Sequence, residues 1–339
     1  MEKSQVKWLY ISIGFSLLVL VIILFLTINE NTIQYLRAIN PIFLLLAFLA
    51  HLLTMCFWAW RIQKMAGSLG YPVGFFYCLN LVFANLLIAA ITPSQMGGEP
   101  VRVHELYRAN VPLGDATAIV IMERVLDGIV LALLAAFAMI VLADQWKILG
   151  AISQFMVFIT WIFVIGCLLL FYLAIKRPEM IKKVVHRCAR FFTRTWESAR
   201  IEKFVLRVDK EIDNFHETVI KFVKSAKGGL LWGFLFSLLY WVSEVLIASL
   251  ILLGLGQSPL ILESFVIQLI LAIVMMIPLT PGSSGIAEVG ATSLYALFIP
   301  ASIVGIFVVI WRIVLFYFNI ALGILSSIII VRREAKYKQ

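Results

Sequence analysis

The chain has 339 residues and a formal net charge of +9; 62% of the residues are hydrophobic, 14% are charged, and the mean hydropathy is +1.00. This composition excludes an ordinary soluble globular protein and predicts an all-α integral membrane protein, because long apolar runs dominate the chain. Neither the four cysteines nor the four histidines have disulfide or metal-ligand spacing, so we expect no disulfide, no metal site and no cofactor.

Six segments are long and apolar enough to cross the membrane as helices. In chain order they cover residues 6–28, 41–63, 117–143, 151–175, 229–254 and 301–331. The first is longer than a signal-peptide core and is followed by no cleavage-site pattern, so we expect it to be retained. Two further segments, 74–116 and 262–300, begin as apolar helices and are then interrupted by proline and glycine.

Each interruption has the pattern T-P-x-x-x-G with a glutamate close behind it. The first reads TPSQMGGEP and the second reads TPGSSGIAE. Irregular backbone at membrane depth persists only where protein or a watery cavity surrounds it, so we predict two re-entrant helical hairpins. The predicted tips contain Thr92, Pro93, Gly97, Thr280, Pro281 and Gly285.

Positive charge decides how these hairpins run. Residues 176–227 hold 14 Lys and Arg against 7 Asp and Glu, which is typical of a cytoplasmic loop. That loop lies inside only if 74–116 enters from the cytoplasm and returns, and 262–300 then enters from outside. Both termini are therefore predicted to be cytoplasmic in a multi-pass plasma-membrane protein. Within the loop, apolar positions between Ile201 and Phe222 predict an amphipathic helix.

A shift of 188 residues superimposes the second interruption on the first. The shift pairs Thr92 with Thr280, Pro93 with Pro281, Gly97 with Gly285, Tyr107 with Tyr295 and Arg124 with Arg312. Because the two copies start on opposite sides, we predict an inverted repeat like those of many transporters. The predicted organisation is residues 1–40 (first helix and external linker), 41–143 (repeat 1), 144–228 (helix and basic cytoplasmic segment) and 229–339 (repeat 2 and basic tail).

Charged residues inside apolar segments are costly and mark candidate sites. Arg124 can pair locally with Glu123 and Asp127, whereas Arg312 has no acidic residue three or four positions away. Its partner is expected from a ligand, the interface or another helix, with Glu244 and Glu288 as candidates, and Arg312→Gln is expected to impair transport more than folding.

The first tip also shows helix-capping and anion-binding signals. Thr92 and Gln95 have capping-box spacing, which predicts a half-helix that starts at Pro93 and attracts anions. Glu99 and Glu288 either complement such helix ends, or bind protons or a cationic group. Arg102, His104 and Arg108 give a basic lining to the first copy only, since Gly290, Thr292 and Ala296 replace them in the second.

No nucleophile motif, Walker sequence or D-x-D pair is present, so we do not expect an enzyme. Two alternatives remain open. The chain could act on a lipid-linked substrate with Glu99 and Glu288 as a carboxylate pair, or it could be a scaffold that binds a synthase partner through residues 181–224. Nucleic acid is not an expected partner, because topology explains the basic loop.

At TPSQMGGEPVR, ERVLDG, PLTPGSSGIAE and WRIVLFY the chain resembles the flippase-like membrane domain of the lysylphosphatidylglycerol synthase family. The resemblance covers nearly the whole chain and implies a transport unit standing alone, without a synthase or glycosyltransferase domain. It implies movement of an anionic or zwitterionic headgroup, of a phospholipid or a polyprenyl phosphate. Membrane lipids and a lipid-modifying enzyme are the expected partners. Ser94, Gln95, Ser283 and Ser284 depart from the family's glycine-rich turns.

The expected substrate site combines both tips with the charged residues of the apolar segments. Its members are Thr92, Pro93, Gly97, Glu99, Arg102, Arg124, Thr280, Pro281, Gly285, Glu288 and Arg312.

Overall fold

The computed structural model describes residues 3–28, 30–92, 97–141, 213–275 and 280–337, with a few single residues between 158 and 210. These residues are helical and include no β-strand, which confirms the predicted all-α class. In chain order the helices are α1 (Lys3–Thr27), α2 (Glu30–Arg37), α3 (Pro41–Ser68), α4 (Phe75–Ile91), α5 (Gly98–Arg108), α6 (Leu113–Val141), α7 (Lys227–Gly254), α8 (Ile261–Val274), α9 (Ile286–Tyr295), α10 (Ala301–Arg312) and α11 (Phe318–Tyr337).

Several of these helices are long and apolar enough to cross a membrane. Among the described residues, four candidate spans cover Lys7–Thr27, Pro41–Ser68, Lys227–Gly254 and Ala301–Ile330. They coincide with four of the six predicted spans. A fifth prediction, 117–143, coincides with α6, whose 29 residues reach about 43 Å at 1.5 Å per residue. The predicted span 151–175 lies largely outside the described residues.

The two interrupted segments fold as pairs of short helices. The first contains α4, with 17 residues, and α5, with 11; the second contains α8, with 14, and α9, with 10. At 1.5 Å per residue each helix is shorter than the hydrocarbon core of about 30 Å. The break between the two helices of each pair falls at one of the two T-P-x-x-x-G motifs.

The centre of the fold is an antiparallel pair, α3 and α7. Asn40, before α3, donates its backbone N–H to Gly254 O at the end of α7 at 2.8 Å. At the opposite end, Gly229 of α7 lies against Ser68 of α3, so close that a β-carbon there would clash. These two helices correspond under the 188-residue shift, and they run in opposite directions.

The remaining contacts between the halves are exchanged in the same way. The last helix of the second half, α11, packs on α4 of the first half. The last helix of the first half, α6, packs on α8 of the second half. A twofold axis exchanges equivalent helices, so each contact from the first half to the second has a counterpart from the second half to the first.

A helical stretch at residues 213–224 packs beside the first half. Its apolar side chains Val219 and Phe222 are almost completely buried in the same core cluster as Met65 and Val111. Thr218 donates a hydrogen bond to Asp115, and Lys221 Nζ donates to Leu69 O at 3.2 Å. The described end of the predicted amphipathic helix therefore covers this chain's own surface, while residues 201–209 lie outside the described part.

Candidate functional site

The first charged cluster lies where α3, α5 and α6 meet, and Glu123 is at its centre. Arg61 Nε donates to Glu123 Oε1 at 2.8 Å, and Arg102 Nη1 donates to Oε2 at 2.6 Å. Trp58 Nε1 donates to Oε1 at 3.1 Å. All three charged side chains are at most 2% exposed. Charges so deeply buried persist only when they are paired, and each of these three has an oppositely charged partner.

Arg61 extends this cluster to α7. Its Nη1 donates to Asp127 Oδ1 at 2.5 Å and to Ser237 Oγ at 2.7 Å. Trp241 Nε1 also donates to Asp127 Oδ1, at 3.3 Å. Two arginines and two carboxylates therefore form a neutral buried network that joins three helices of the first half to the central helix of the second.

Arg124 lies beside this network but faces the surface. Its Nε and Nη2 donate to Glu99 Oε1 at 3.0 and 2.6 Å, and Nη1 lies 3.8 Å from Asp127 Oδ2. The Arg124 side chain is 45% exposed. It lines one end of a groove of about 480 Å³ between α5 and α6. The other walls are mostly apolar and include Val103, Tyr107, Leu113, Val120 and Ile121.

The second charged cluster lies behind the other break, where α1, α9 and α10 meet. Arg312 Nε is 2.8 Å from Glu288 Oε1, and both side chains are buried. Ser16 Oγ donates to Glu288 Oε1 at 2.5 Å, and Tyr317 OH donates to Ser16 Oγ at 2.9 Å. The Arg312 guanidinium stacks on Phe316 with 3.9 Å to the ring centroid. Of the two candidate partners predicted for Arg312, the structure selects Glu288.

The two breaks contact one another directly. Gly282 N donates to Thr92 O at 3.0 Å. Ser12 of α1 joins both breaks, because its hydroxyl donates to Ala90 O at 2.8 Å and lies 3.3 Å from Pro281 O. At these described positions the backbone of the two tips is hydrogen-bonded to protein.

The local structure of the first tip differs from the capping-box prediction. Thr92 is the C-cap of α4, since its hydroxyl donates to Ile88 O at 2.9 Å and accepts from Gly97 N at 3.0 Å. The following helix begins at Gly98, and Pro93 lies outside the described residues. At the second tip one half of a capping box is present, since Gly285 N donates to Glu288 Oε2 at 2.6 Å, while Gly285 has no side chain for the reciprocal bond.

A second groove, of about 490 Å³, lies at the second tip. Phe15 and Val19 of α1, together with Thr280, Ser284 and Gly285, form much of its wall. No charged side chain is among its lining residues. Ser284 Oγ lies 3.4 Å from Arg312 Nη2, so this hydroxyl separates the groove from the buried ion pair.

Residues equivalent under the 188-residue shift differ sharply in exposure. Tyr107, on the groove between α5 and α6, is 56% exposed, whereas Tyr295, its counterpart on α9, is 0% exposed. The ring of Tyr295 packs on Phe307 of α10 with a centroid distance of 4.3 Å. The space between α9 and α10 is thus filled by side chains where the space between α5 and α6 is open.

The predicted site residues separate into two groups in the structure. Glu99, Arg102 and Arg124 belong to the first cluster and its groove, while Glu288 and Arg312 form the second cluster. Sequence reasoning missed Arg61, which lies near the end of the predicted span 41–63 and is buried. It also missed Ser12 and Ser16. The signal that could have found them is the spacing of two hydroxyl residues about one turn apart in an otherwise apolar helix.

Comparison with known proteins supports the resemblance carried by the four motifs. Residues 10–323 match the family described as the lysylphosphatidylglycerol synthase TM region. The match covers most of the chain and includes both breaks and both charged clusters.

Several archaeal proteins are similar over most of their length. A UPF0104 membrane protein of Archaeoglobus fulgidus is 34% identical over 316 residues, which cover 93% of this chain and 95% of that protein. One from Pyrococcus horikoshii is 29% identical over 303 residues, covering 85% and 86% of the two chains. One from Methanocaldococcus jannaschii is 26% identical over 313 residues, covering 91% of each. Their names describe membrane proteins and state no activity.

Proposed function

The chain belongs to the family of the lysylphosphatidylglycerol synthase transmembrane region, and on this premise we propose that it moves a phosphate-bearing lipid headgroup across the bilayer. The substrate class is an anionic or zwitterionic lipid, either a phospholipid or a polyprenyl phosphate. The headgroup binds in the groove between α5 and α6, while its apolar chains remain against the groove walls and the surrounding lipid.

The proposal includes two re-entrant hairpins in an inverted repeat. The hydroxyl of Tyr71, before α4, donates a hydrogen bond to Asp115, after α5, so the chain enters and leaves this hairpin at one level. Burial and the Asp115 carboxylate raise the pKa of Tyr71 to about 12. The antiparallel course of α3 and α7 supports the inversion. In this arrangement both termini are cytoplasmic.

The depth of Arg124 supports a binding role. Arg124 lies 11 residues after Leu113, or about 16 Å along α6 at 1.5 Å per residue, which is about half of a 30 Å hydrocarbon core. A half-exposed arginine is costly near the bilayer midplane unless it meets an anion. The planar guanidinium is suited to two parallel hydrogen bonds with a phosphate. We propose that the headgroup phosphate takes the place that Glu99 occupies on Arg124.

The observation that carries the proposal is the unequal state of the two halves. The groove beside Arg124 and Tyr107 is open, while the equivalent space beside Arg312 and Tyr295 is closed. Two structurally similar halves in different states are what alternating access requires, with the substrate site exposed to one side at a time. We propose that the cycle opens α9 from α10 as α5 closes on α6.

Geometry favours this function over the two alternatives. Glu99 pairs with Arg124, and Glu288 pairs with Arg312, in clusters that share no hydrogen-bond partner among the described residues. They do not form the joint carboxylate pair that hydrolysis or group transfer would use, so we propose that the protein is not an enzyme. The scaffold alternative needs an apolar helix face that is free to bind a synthase partner. In the described part of that helix Val219 and Phe222 are buried within this chain, so they are not available to a partner.

The proposal can be tested with purified protein in proteoliposomes that contain a labelled anionic lipid, without nucleotide or partner. We expect the wild type to accelerate headgroup translocation, and Arg124→Gln to reduce the rate at least about tenfold, since a charged bidentate contact contributes on the order of 1.5–3 kcal/mol. Arg124→Lys should recover part of the rate, because it restores charge but not the planar fork.

Arg37→Gln provides a matched control, since Arg37 is an exposed arginine on α2 that lines neither groove. It should translocate lipid at the wild-type rate. Wild-type protein that leaves the labelled lipid at the protein-free rate would rule out the transport function. Full activity in Arg124→Gln would remove Arg124 from the binding site.

A further inference from the structure

A third polar group lies at the junction of the two halves, outside both charged clusters, with His51 buried and the Glu244 side chain 19% exposed. It consists of His51 on α3, Glu244 on α7 and Asn319 on α11. His51 is 1% exposed, its Nε2 lies 2.8 Å from Asn319 Oδ1, and its Nδ1 lies 3.8 Å from Glu244 Oε2. A titratable imidazole and a carboxylate held together in a membrane interior are costly unless they have a role.

The hydrogen bonds of Asn319 determine the tautomer of His51. Asn319 Nδ2 donates to Leu315 O at 2.6 Å, and a backbone carbonyl can only accept. The amide oxygen of Asn319 therefore faces His51 and is itself an acceptor. His51 Nε2 must carry a hydrogen, which leaves Nδ1 as the ring nitrogen that faces Glu244.

The His51 Nδ1 and Glu244 Oε2 atoms are both buried, and neither has a hydrogen-bond partner among the described residues, since 3.8 Å is too long for a hydrogen bond between them. A neutral imidazole with hydrogen on Nε2 would direct its Nδ1 lone pair at a carboxylate oxygen, which is repulsive. One proton between the two atoms removes the repulsion, whether it resides on the imidazolium or on the carboxylic acid. We propose that His51 and Glu244 form a proton-binding site that couples proton movement to lipid translocation.

The surroundings favour a proton over a metal ion. The buried arginines Arg61 and Arg312 are engaged elsewhere, Arg61 with Glu123 and Asp127, and Arg312 with Glu288. Among the described residues, the ring of Phe318 lies 6.3 Å from the imidazole, and Tyr240 interacts electrostatically with Glu244. A hard divalent cation would need about six oxygen ligands, which this pair does not supply.

The position of His51 and Glu244 between the two halves explains how a bound proton would affect lipid transport. Helices α3 and α7 are the equivalent central helices of the two halves, and Asn319 follows the π-helical turn Ile313–Tyr317 that begins directly after Arg312. Such π-helical turns occur often at functional sites. Movement of the halves against each other changes the distance between His51 and Glu244, and therefore their affinity for the proton. This coupling rests on the transport function proposed above.

The proton itself can be detected without transport. With His104, His186 and His216 replaced by Gln, His51 is the only histidine of the chain, and its two nitrogens can be followed by ¹⁵N NMR while infrared spectroscopy follows the carboxyl groups. Near pH 7 we expect either a protonated Nδ1 or a protonated carboxyl that disappears in Glu244→Gln. The matched control Glu30→Gln, on α2, should preserve the signal.

A neutral His51 with an unprotonated Nδ1 beside an ionised Glu244, between about pH 5 and 9, would overturn the proton site. In proteoliposomes, a transmembrane pH gradient should change the net lipid flux of the wild type at least about twofold, and Glu244→Gln should lose this response. A wild-type lipid flux that does not change with the pH gradient would contradict the proposed coupling but would leave the transport function supported. If the wild type produced no lipid flux at all, the proposed transport function would be contradicted. The spectroscopic experiment would still test the proton site independently.

Discussion

Glu123 shows how one buried carboxylate organises the first half of the protein. It accepts hydrogen bonds from Arg61, Arg102 and Trp58, which come from two different helices. Removing one partner from such a group leaves an uncompensated charge in an apolar interior, which costs far more than the pair itself contributes. Single substitutions in these clusters therefore mix effects on stability with effects on transport, and the two must be measured together.

Arg312 is the residue for which this distinction changes the expected result. From the sequence, Arg312→Gln should spare folding; in the structure it leaves Glu288, which is 0% exposed, without its cation. We now expect Arg312→Gln to lower the free energy of unfolding by about 3–5 kcal/mol, measured by thermal unfolding in detergent. The double variant Arg312→Gln/Glu288→Gln should recover most of that loss, because neither partner is left charged. A double variant as unstable as the single one would show that the pair is not the cause.

At the scale of the elements, the second break depends on the backbone of Gly282. Its φ of +58° lies in the left-handed region, and a β-carbon there would lie 2.5 Å from Ala90 O of the other tip. Only glycine combines this dihedral with so close an approach. The contact between the tips is therefore encoded by the absence of a side chain.

Gly282→Ala tests this contact against a matched glycine. We expect it to destabilise the protein by about 1–3 kcal/mol, since it strains the backbone and separates the tips. Gly128→Ala, on α6, meets no atom within 4 Å, and it should be neutral or stabilising by about 0.4–1 kcal/mol. Equal unfolding temperatures for the two variants would contradict the importance of the tip contact.

At the scale of the whole molecule, the proposed transport cycle needs two halves of one fold in different states. The exchange of contacts, α11 on α4 and α6 on α8, joins the two halves, while α1 packs on α9 and α10 of the second half. The groove of the first half is lined by Glu99 and Arg124, whereas the groove of the second half lies between α1 and α9 and the space beside Arg312 and Tyr295 is filled. A membrane protein built in this way can expose one site alternately to two sides without carrying it across the bilayer.

Cysteine labelling tests the topology that this mechanism needs. In a background without the four native cysteines, single cysteines at Pro72 and Pro112 should react with an impermeant reagent from the cytoplasmic face. Single cysteines at Ser258 and Pro300, which flank the second hairpin, should react from the outer face. All four positions are exposed. Labelling of Pro72 and Pro112 positions from opposite faces would contradict the re-entrant hairpin and with it alternating access.

The sequence by itself determined the membrane class, the helical content and the positions of the two breaks. These features follow from local physics: apolar runs of sufficient length form spans, and proline with glycine ends a helix. The 188-residue shift also predicted which helices correspond, because it compares like segments along one chain. The family resemblance rested on the same local motifs.

Only the tertiary structure decided which charges pair and which half is open. Arg61 and Arg102 share Glu123 although 62 and 21 residues of chain separate them from it, and no spacing rule reaches across helices. His51 and Glu244 meet only because α3 and α7 run antiparallel. Tyr107 is exposed and Tyr295 is buried although the 188-residue shift pairs them. Such differences depend on how neighbouring helices pack, which is a property of the whole fold.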